Sequence, residues 1–223
     1  MTPDDPSRPG IIIGAGAQGR VVLDTWRQQH PRRSFVFLDD DRALWATLVL
    51  GAPVEAGLDR LASHPGEAVL AIGNNQVRRA LAEAWKAAKV AWARVVHPSA
   101  VVSPSATVEP GAVILAGAVV NTQAFVGEHV IINSGAIVEH DCVLKAYASI
   151  SPGVCMGGRV EIGEAAFLAT GVSVAPRVRI GAGTVVGAGA VVLGDLPDGV
   201  LAYGVPARVV RPLGPDFAWR RLL

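Results

Sequence analysis

The stretch Ile131-Ile-Asn-Ser-Gly-Ala-Ile-Val-Glu-His-Asp-Cys-Val-Leu144 contains the repeat that decides the fold. Ile132, Val138 and Leu144 are aliphatic and six residues apart, and a small residue follows each of the first two after four positions. The spacing extends in both directions without a slip. The complete series of aliphatic residues or Met is Val96, Val102, Val108, Ile114, Val120, Val126, Ile132, Val138, Leu144, Ile150, Met156, Ile162, Leu168, Val174, Ile180, Val186 and Val192.

This period indicates stacked short strands. An amphipathic helix would place apolar residues three and four positions apart, so a fixed period of six is not helical. We expect each hexad to form one strand, with its aliphatic side chain inside, and one corner that accommodates the small residue. Stacked coils then pair each strand with the coils above and below and bury a continuous core. Proline recurs at one corner-adjacent position, where a missing N–H costs little, in Pro98, Pro104, Pro110, Pro152 and Pro176.

A different pattern precedes the repeat. Residues 10–19 form a short apolar stretch that runs into a G-x-G-x-x-G turn, and a helix is predicted over 18–29. A second strand over 34–38 ends in three aspartates, and an acidic residue at this distance is typical of ribose binding. We predict further strands over 68–72 and 93–96 and a helix ending near residue 88, so the sheet has three or four strands.

Two readings of the glycine motif remain open. It is either a tight turn in an ordinary α/β domain or a phosphate-binding turn at a helix N-terminus. A nicotinamide enzyme would need a second mononucleotide half and a substrate domain, which about ninety residues cannot hold. Binding of the nucleotide portion of a ligand is therefore the favoured interpretation.

Composition excludes several other classes. The chain has 223 residues and a net charge of +1, which gives no electrostatic case for nucleic acid. Cys142 and Cys155 are too few for a disulfide scaffold and lack metal-ligand spacing. Cys142 falls at a small-residue position of its hexad, so we expect it to be a packing residue. Without a signal-peptide pattern or a long apolar run, we expect a soluble cytoplasmic protein with no membrane partner.

Five local motifs together resemble one family. The chain is similar to the sialic-acid O-acetyltransferase/bacillosamine N-acetyltransferase family of NeuD/PglD-like hexapeptide-repeat enzymes over nearly its whole length. The motifs are Gly14-x-Gly16-x-x-Gly19, Phe37-Leu-Asp-Asp40, Ala71-Ile-Gly-Asn-Asn-x-x-Arg78, Ile132-Asn-x-x-x-Ile-Val-Glu-His-Asp-Cys142 and Tyr203-Gly-Val-Pro-Ala-Arg208.

The resemblance implies an architecture and an assembly. An α/β Rossmann-like N-terminal domain over 1–95, which binds a nucleotide sugar, precedes a left-handed parallel β-helix acyltransferase domain over 96–196. This domain has three hexads per turn, and a C-terminal tail covers 197–223. The family resemblance also implies a homotrimer, with acetyl-CoA along the groove between neighbouring subunits.

The resemblance also assigns binding residues. The substrate phosphates or sugar would meet the glycine turn, the base or ribose would meet the aspartates, and an amide would lie near the substrate amine. These expected substrate-binding residues are Gly16, Ala17, Gln18, Asp39, Asp40, Gly73 and Asn133. The expected contacts to acetyl-CoA are Ser149, Gly158, Thr170 and Ala188. Ser149 stands where the family has a second histidine, and its hydroxyl or backbone N–H is expected to bind the thioester oxygen.

Acetyl transfer needs a base that takes the proton of the acceptor, an acceptor group aimed at the thioester carbonyl, and a hydrogen-bond donor to the oxyanion of the tetrahedral intermediate. Histidine suits the base role because its pKa lies near the working pH. By the hexad register, His129 and His140 lie on the exterior of the coil, whereas His97 is expected to be structural and His30 and His64 to be exposed. The resemblance places the base at His140 and its acidic helper at Asp141. The helper is shorter than the Glu of the bacillosamine enzyme, so a backbone carbonyl is the alternative partner of the ring.

Four functions follow from these features. The favoured one is an acetyl-CoA-dependent N-acetyltransferase acting on a nucleotide-linked amino sugar, a 4-amino-4,6-dideoxyhexose, in bacterial glycan biosynthesis. The alternative is an O-acetyltransferase of sialic acid or a related sugar. A zinc β-helix hydratase would need three converging histidines, for which the spacing is wrong, so no metal is expected. A non-catalytic β-helix scaffold is the fourth interpretation.

Overall fold

The computed structural model describes residues 8–63, 66–88 and 90–214. The chain forms an N-terminal α/β unit, and a stack of short strands follows it. The unit contains strands β1 Gly10–Ile13, β2 Phe35–Leu38, β3 Leu48–Val49, β4 Ala52–Ala56 and β5 Glu67–Leu70, helices α1 Ala17–Gln29 and α2 Asn75–Ala84, and 3₁₀ turns Arg42–Leu44, Leu58–Ser63 and Lys86–Ala88.

The N-terminal sheet has the order β3-β4-β2-β1-β5. Strands β4, β2, β1 and β5 are parallel, and β3 forms an antiparallel hairpin with β4. Every residue of β1 and β2 is buried, as expected for central parallel strands that are covered on both faces. The sheet therefore has five strands instead of the predicted three or four, because the short β3–β4 hairpin lacks a clear alternating pattern.

The predicted strand over 93–96 is corrected by the structure. Trp92 makes only a single parallel bridge to Ala68 of the N-terminal sheet. Val95 and Val96 instead pair with β-helix residues 113 and 114. Trp92 thus bridges to the edge strand β5 of the N-terminal sheet, and strand pairing of the β-helix begins just before the predicted boundary at residue 96.

The hexad prediction is confirmed strand by strand. Each inward aliphatic residue is the second residue of a two-residue strand, and every strand except the last three pairs in parallel with the strand eighteen positions later. The strands are β6 Val95–Val96, β7 Val101–Val102, β8 Thr107–Val108, β9 Val113–Ile114, β10 Val119–Val120, β11 Phe125–Val126, β12 Ile131–Ile132, β13 Ile137–Val138, β14 Val143–Leu144, β15 Ser149–Ile150, β16 Cys155–Met156, β17 Glu161–Ile162, β18 Phe167–Leu168, β19 Ser173–Val174, β20 Arg179–Ile180, β21 Val185–Val186 and β22 Val191–Val192.

These strands form the three faces of a parallel β-helix. One face contains β6, β9, β12, β15, β18 and β21, the second contains β7, β10, β13, β16, β19 and β22, and the third contains β8, β11, β14, β17 and β20. The inward residues and the small corner residues make one continuous core, most of it with no exposed surface. We call the corner between the first and second faces corner A, and the corner between the second and third faces corner B.

The corners share a backbone feature that the proline pattern did not reveal. Every sixth residue adopts a left-handed conformation, which L-residues other than Gly, Asn and Asp adopt only at a cost. Only half of these positions are glycine, so the stacked coils impose the conformation on the others. They are Gly111, Gly117, Gln123, His129, Gly135, Asp141, Tyr147, Gly153, Arg159, Ala165, Gly171, Arg177, Gly183 and Gly189.

The predicted C-terminal tail contains regular structure. Strand β23, Val200–Gly204, continues the first face by pairing in parallel with β21, and β24, Ala207–Pro212, folds back on it as an antiparallel hairpin. This hairpin closes the last coil, and the sequence did not predict it because its period differs from six. Residues 215–223 lie outside the described residues. In the part of the chain that is described, no helix has the length and apolar character needed to cross a membrane.

The two cysteines differ in exposure, which predicts their reactivity. Cys142 is fully buried, burial raises the pKa of its thiol, and its Sγ lies 3.2 Å from the carbonyl oxygen of Gly157. Cys155 is exposed. Because the thiolate is the reactive form, one thiol per chain is expected to react with a disulfide reagent in the native protein and two after denaturation. Cys155→Ser should abolish the native reaction, whereas native labelling of that variant at the wild-type rate would contradict the packing assignment.

Candidate active site

The glycine motif forms a turn between β1 and α1. Gly14 has a φ of 101°, and Gly16 is the residue before the first turn of α1. A Cβ on Gly19 would lie 2.0 Å from the carbonyl oxygen of Gly14, so only glycine allows the helix to pack this closely on the turn. The carboxylate of Asp39 accepts a hydrogen bond from the backbone N–H of Ala15 at 2.8 Å. Asp39 therefore holds the turn in place.

A cavity of about 390 Å³, here called the turn cavity, opens beside this motif. It brings together most of the residues expected at the substrate. They are Gly16, Ala17, Gln18, Asp39 and Gly73, together with Gly14, Ala71 and Ile72. Asp40 is not among them, and its carboxylate accepts a hydrogen bond from the backbone N–H of Leu58 at 2.9 Å. The expected contact of Asp40 with the base or ribose stays a prediction.

A second cavity of about 240 Å³, the interdomain cavity, lies between the N-terminal domain and corner A. Gln18 and Gly73 line both cavities, so the two cavities adjoin each other. The β-helix side is lined by Ile131, Asn133, Ser149, Ile150, Ser151, Pro152, Phe167 and Thr170. The side-chain nitrogen of Gln18 is buried and has no partner among the described residues, which leaves a donor available to a ligand.

His140 lies on corner B and is accessible. Its side chain is 47% exposed, and its Nδ1 lies 2.8 Å from an oxygen of Asp141. Asp141 has the left-handed backbone of the corner position, with a φ of 58°, and its shorter side chain does reach the ring. The hydrogen bond to His140 is the main cause that lowers the pKa of the Asp141 carboxyl; Arg159, 3.6 Å away, contributes in the same direction. Asp141 thus holds Nδ1, and Nε2 is the ring nitrogen that this contact leaves unused.

Gly158 lies next to the ring of His140, one coil further along corner B. A Cβ at this position would lie 2.5 Å from both Cε1 and Nε2 of His140. The absence of a side chain therefore makes room for the imidazole. Of the residues expected at acetyl-CoA, Gly158 alone shares a corner with His140.

Asn133, Thr170 and Ala188 lie on corner A, and Ser149 lies in β15 of the first face. Asn133 and Thr170 line the interdomain cavity, and the exposed Ala188 is one coil beyond Thr170, whose carbonyl oxygen accepts the N–H of Gly189 at 2.9 Å. Within one chain the predicted residues thus form two groups on different corners. His140, Asp141 and Gly158 make one group, and the cavity residues with Ala188 make the other.

Ser149 does not have the expected free donor. Its hydroxyl donates to Oδ1 of Asn75 at 2.6 Å, and its backbone N–H donates to the carbonyl oxygen of Ala166 at 2.9 Å. Both donors are already used, so neither can bind a thioester oxygen in this arrangement. Ser149 instead joins the β-helix to α2, where Asn75 and Arg78 are buried polar residues. The sequence carried a signal for this contact, because Asn75, Arg78 and Ala82 have the spacing of one buried helical face.

His129 also differs from its predicted environment. It points out of the coil, as its register requires, but the N-terminal domain covers it and only 3% of the residue is exposed. Its ring stacks on Tyr147 and meets Trp92 edge-on. His97 bonds to Ser99 at the first corner and is structural, as expected. His64 lies outside the described residues.

The buried histidine predicts a pH dependence of stability. Burial, and next the charge of Arg78, lowers the pKa of His129 to about 4. The unfolded chain binds this proton near pH 6.5, so stability is full above that value and decreases as the pH falls from 6.5 to 4, by up to about 3 kcal/mol. Chemical denaturation at several pH values measures the slope. His129→Asn, which tolerates the left-handed backbone (φ 54°), should flatten it; an unchanged slope would contradict this origin.

Comparison with known proteins identifies the two parts of the chain. Residues 11–85 match the PglD N-terminal domain family, and residues 159–194 match the bacterial transferase hexapeptide family of six repeats. No group of His, Cys, Asp and Glu that could hold a metal ion occurs among the residues that the structure describes.

Solved structures extend the match over nearly the whole chain. A histidine-to-alanine variant of GDP-perosamine N-acetyltransferase from Caulobacter crescentus, in complex with CoA and GDP-perosamine, is 38% identical, with a TM-score of 0.85 over 91% of this chain and 97% of that one. The acetyltransferase domain of PglB from Neisseria gonorrhoeae, in complex with acetyl coenzyme A, is 37% identical, with a TM-score of 0.86 over 91% and 99%. WeeI from Acinetobacter baumannii is 28% identical, with a TM-score of 0.72 over 91% and 100%.

These matches agree with a Rossmann-like N-terminal domain followed by a hexapeptide-repeat β-helix, over nearly the full length of the chain. The acetyl group donor expected from the sequence agrees with the CoA and acetyl-CoA bound in the similar structures. The chain belongs to the NeuD/PglD family of hexapeptide-repeat acetyltransferases and is a sugar N-acetyltransferase that uses acetyl-CoA.

Proposed function

We propose that the chain acetylates the amino group of a nucleotide-linked 4-amino-4,6-dideoxyhexose in bacterial glycan biosynthesis, with His140 as the general base. The observation that carries this proposal is that the turn cavity and the interdomain cavity adjoin at Gln18 and Gly73, which makes an extended path along both. Such a path suits an extended ligand with a nucleotide at one end and a sugar at the other. A free sugar acid would leave the turn cavity without an occupant.

The turn cavity offers the donors that a diphosphate requires. The backbone N–H groups at the start of α1 have no partners within the helix, and the helix dipole favours negative charge there. Gln18 adds its side-chain donor at the junction of the two cavities. The sugar then extends toward Asn133, which lines the interdomain cavity and whose side-chain oxygen accepts the backbone N–H of Ser134 at 2.8 Å, so its amide nitrogen is not used in that bond.

The chemistry follows from the orientation of His140. Its Nδ1 is held by Asp141, so Nε2 accepts the proton that the amine loses as its nitrogen attacks the thioester carbonyl carbon. The tetrahedral intermediate collapses by breaking the carbon–sulfur bond, and the thiolate of CoA takes up the proton. Asp141 stabilises the imidazolium that exists between these two proton transfers.

The split between the two corners supports a homotrimer with shared sites. His140 on corner B of one subunit would face the cavity on corner A of its neighbour, with acetyl-CoA in the groove between them. Co-assembly of His140→Ala with Thr170→Arg, each inactive alone, tests this arrangement. Mixed trimers should regain activity because some grooves contain both intact corners; no recovery in verified mixed trimers would contradict the shared site.

An acceptor panel tests the substrate class. Thiol release from acetyl-CoA would be followed with UDP-, GDP- and dTDP-linked 4-amino sugars and with free sialic acid. GDP-perosamine is a natural first member, because the similar Caulobacter crescentus enzyme was crystallised with it. We expect turnover of at least one nucleotide-linked amine and none of sialic acid. Turnover of sialic acid alone would overturn the proposal in favour of O-acetylation.

A further inference from the structure

We propose that Arg78 is a positioning residue for acetyl transfer, which fixes the Gly73 wall of both cavities against the β-helix. The inference rests on the proposed function, because it assigns the alignment of the acceptor to this contact. Arg78 is fully buried in α2, and burial lowers its pKa to about 9, so its guanidinium is charged at neutral pH.

One side of the guanidinium binds the cavity wall. Its terminal nitrogen donates to the carbonyl oxygen of Ile72 at 2.7 Å and to that of Gly73 at 3.4 Å. Gly73 lines both cavities, and the side chain of Ile72 packs beside the φ-positive Gly14 of the glycine turn. The position of Arg78 therefore sets the position of the loop and of the turn that it touches.

The other side of the guanidinium binds the β-helix. Nε donates to the carbonyl oxygen of His129 at 2.9 Å, and the second terminal nitrogen donates to the carbonyl oxygen of Tyr147 at 2.7 Å and to Oγ of Ser149 at 3.1 Å. His129 and Tyr147 belong to successive coils. A planar fork bound at several points fixes rotation as well as distance, which a single flexible ammonium cannot do.

Asn75 is part of the same hydrogen-bond network between α2 and the β-helix. Its Oδ1 accepts from Arg78 at 3.0 Å and from the Ser149 hydroxyl at 2.6 Å, and its Nδ2 donates to the carbonyl oxygens of Ala165 and Ala166. The described residues provide no carboxylate partner for Arg78. Apolar packing would join the domains at a smaller desolvation cost, so the retained charged fork is better explained by geometry than by stability.

The test compares Arg78→Lys with Arg79→Lys in the full chain. Arg79 is the neighbouring residue on α2 and forms a half-exposed ion pair with Glu164, so it is a matched control of low expected effect. We expect Arg78→Lys to lower kcat by about tenfold to a hundredfold, because small misplacements of bound groups have effects of this size. The KM for acetyl-CoA should change less than about threefold, and Arg79→Lys should leave kcat within about twofold.

Three outcomes decide the inference. An unchanged kcat overturns it, and so does a loss of activity that matches the loss of folded protein in thermal unfolding. Kinetics use whichever acceptor the wild-type chain acetylates, so a wrong substrate class would show in the wild type and not in the Arg78 comparison. Amide hydrogen exchange provides a readout that does not depend on turnover. In Arg78→Lys the amides of residues 72–75 should exchange faster than in the wild type, whereas those of β1 should exchange at the wild-type rate. Unchanged exchange at residues 72–75 overturns the inference.

Discussion

His140→Ala is expected to lower kcat by at least about a hundredfold, the lower range for loss of a general base. The ring is the base candidate on corner B, and its exposure means that truncation leaves no buried cavity. The melting temperature should therefore stay within a few degrees of the wild-type value. Steady-state kinetics with saturating acetyl-CoA, together with thermal unfolding, measure both effects.

Two variants sharpen this result. Asp141→Asn keeps the size of the side chain but removes the charge 2.8 Å from Nδ1, so we expect a smaller loss of about tenfold in kcat. His97→Ala removes a histidine from another corner, where it bonds to Ser99, and should keep kcat within about twofold. Wild-type turnover by His140→Ala would exclude the base role and revive the non-catalytic interpretation.

Gly158→Ala is the second change with a large expected effect. The added methyl would lie 2.5 Å from Cε1 and Nε2 of His140, so the imidazole must rotate away from its place. The side chain of His140 is free to move, so the substitution should cost little stability. We expect kcat to fall about tenfold to a hundredfold because the base is displaced, in the range seen for misplaced catalytic groups.

Gly194→Ala is the matched control for this prediction. A Cβ at Gly194 meets nothing within 4 Å, and Gly194, like Gly158, has a backbone conformation that alanine can adopt. Both variants should unfold at nearly the wild-type temperature, but only Gly158→Ala should lose activity. Equal activities for the two would show that the ring of His140 can be displaced without consequence for the reaction.

The sequence by itself determined the β-helix and the orientation of its side chains. A period of six residues decides which side chains enter the core, because each strand has two residues and each coil has three faces. Val138 and Cys142 therefore point inward, and His140 points outward, whatever the rest of the molecule does. The glycine turn was equally local: Gly14 and Gly19 are required by one short stretch of backbone.

Only the tertiary structure decided how these parts meet. The register placed His129 outside the coil but could not show that the N-terminal domain covers it, or that Ser149 binds Asn75 of α2. The carboxylate of Asp141 lies 2.8 Å from Nδ1 of His140, a contact that the spacing of neighbouring residues left open. The division of the site between corners A and B depends on the number of hexads per coil and on which face the N-terminal domain covers. Such contacts arise between residues far apart in the chain, and no local spacing encodes them.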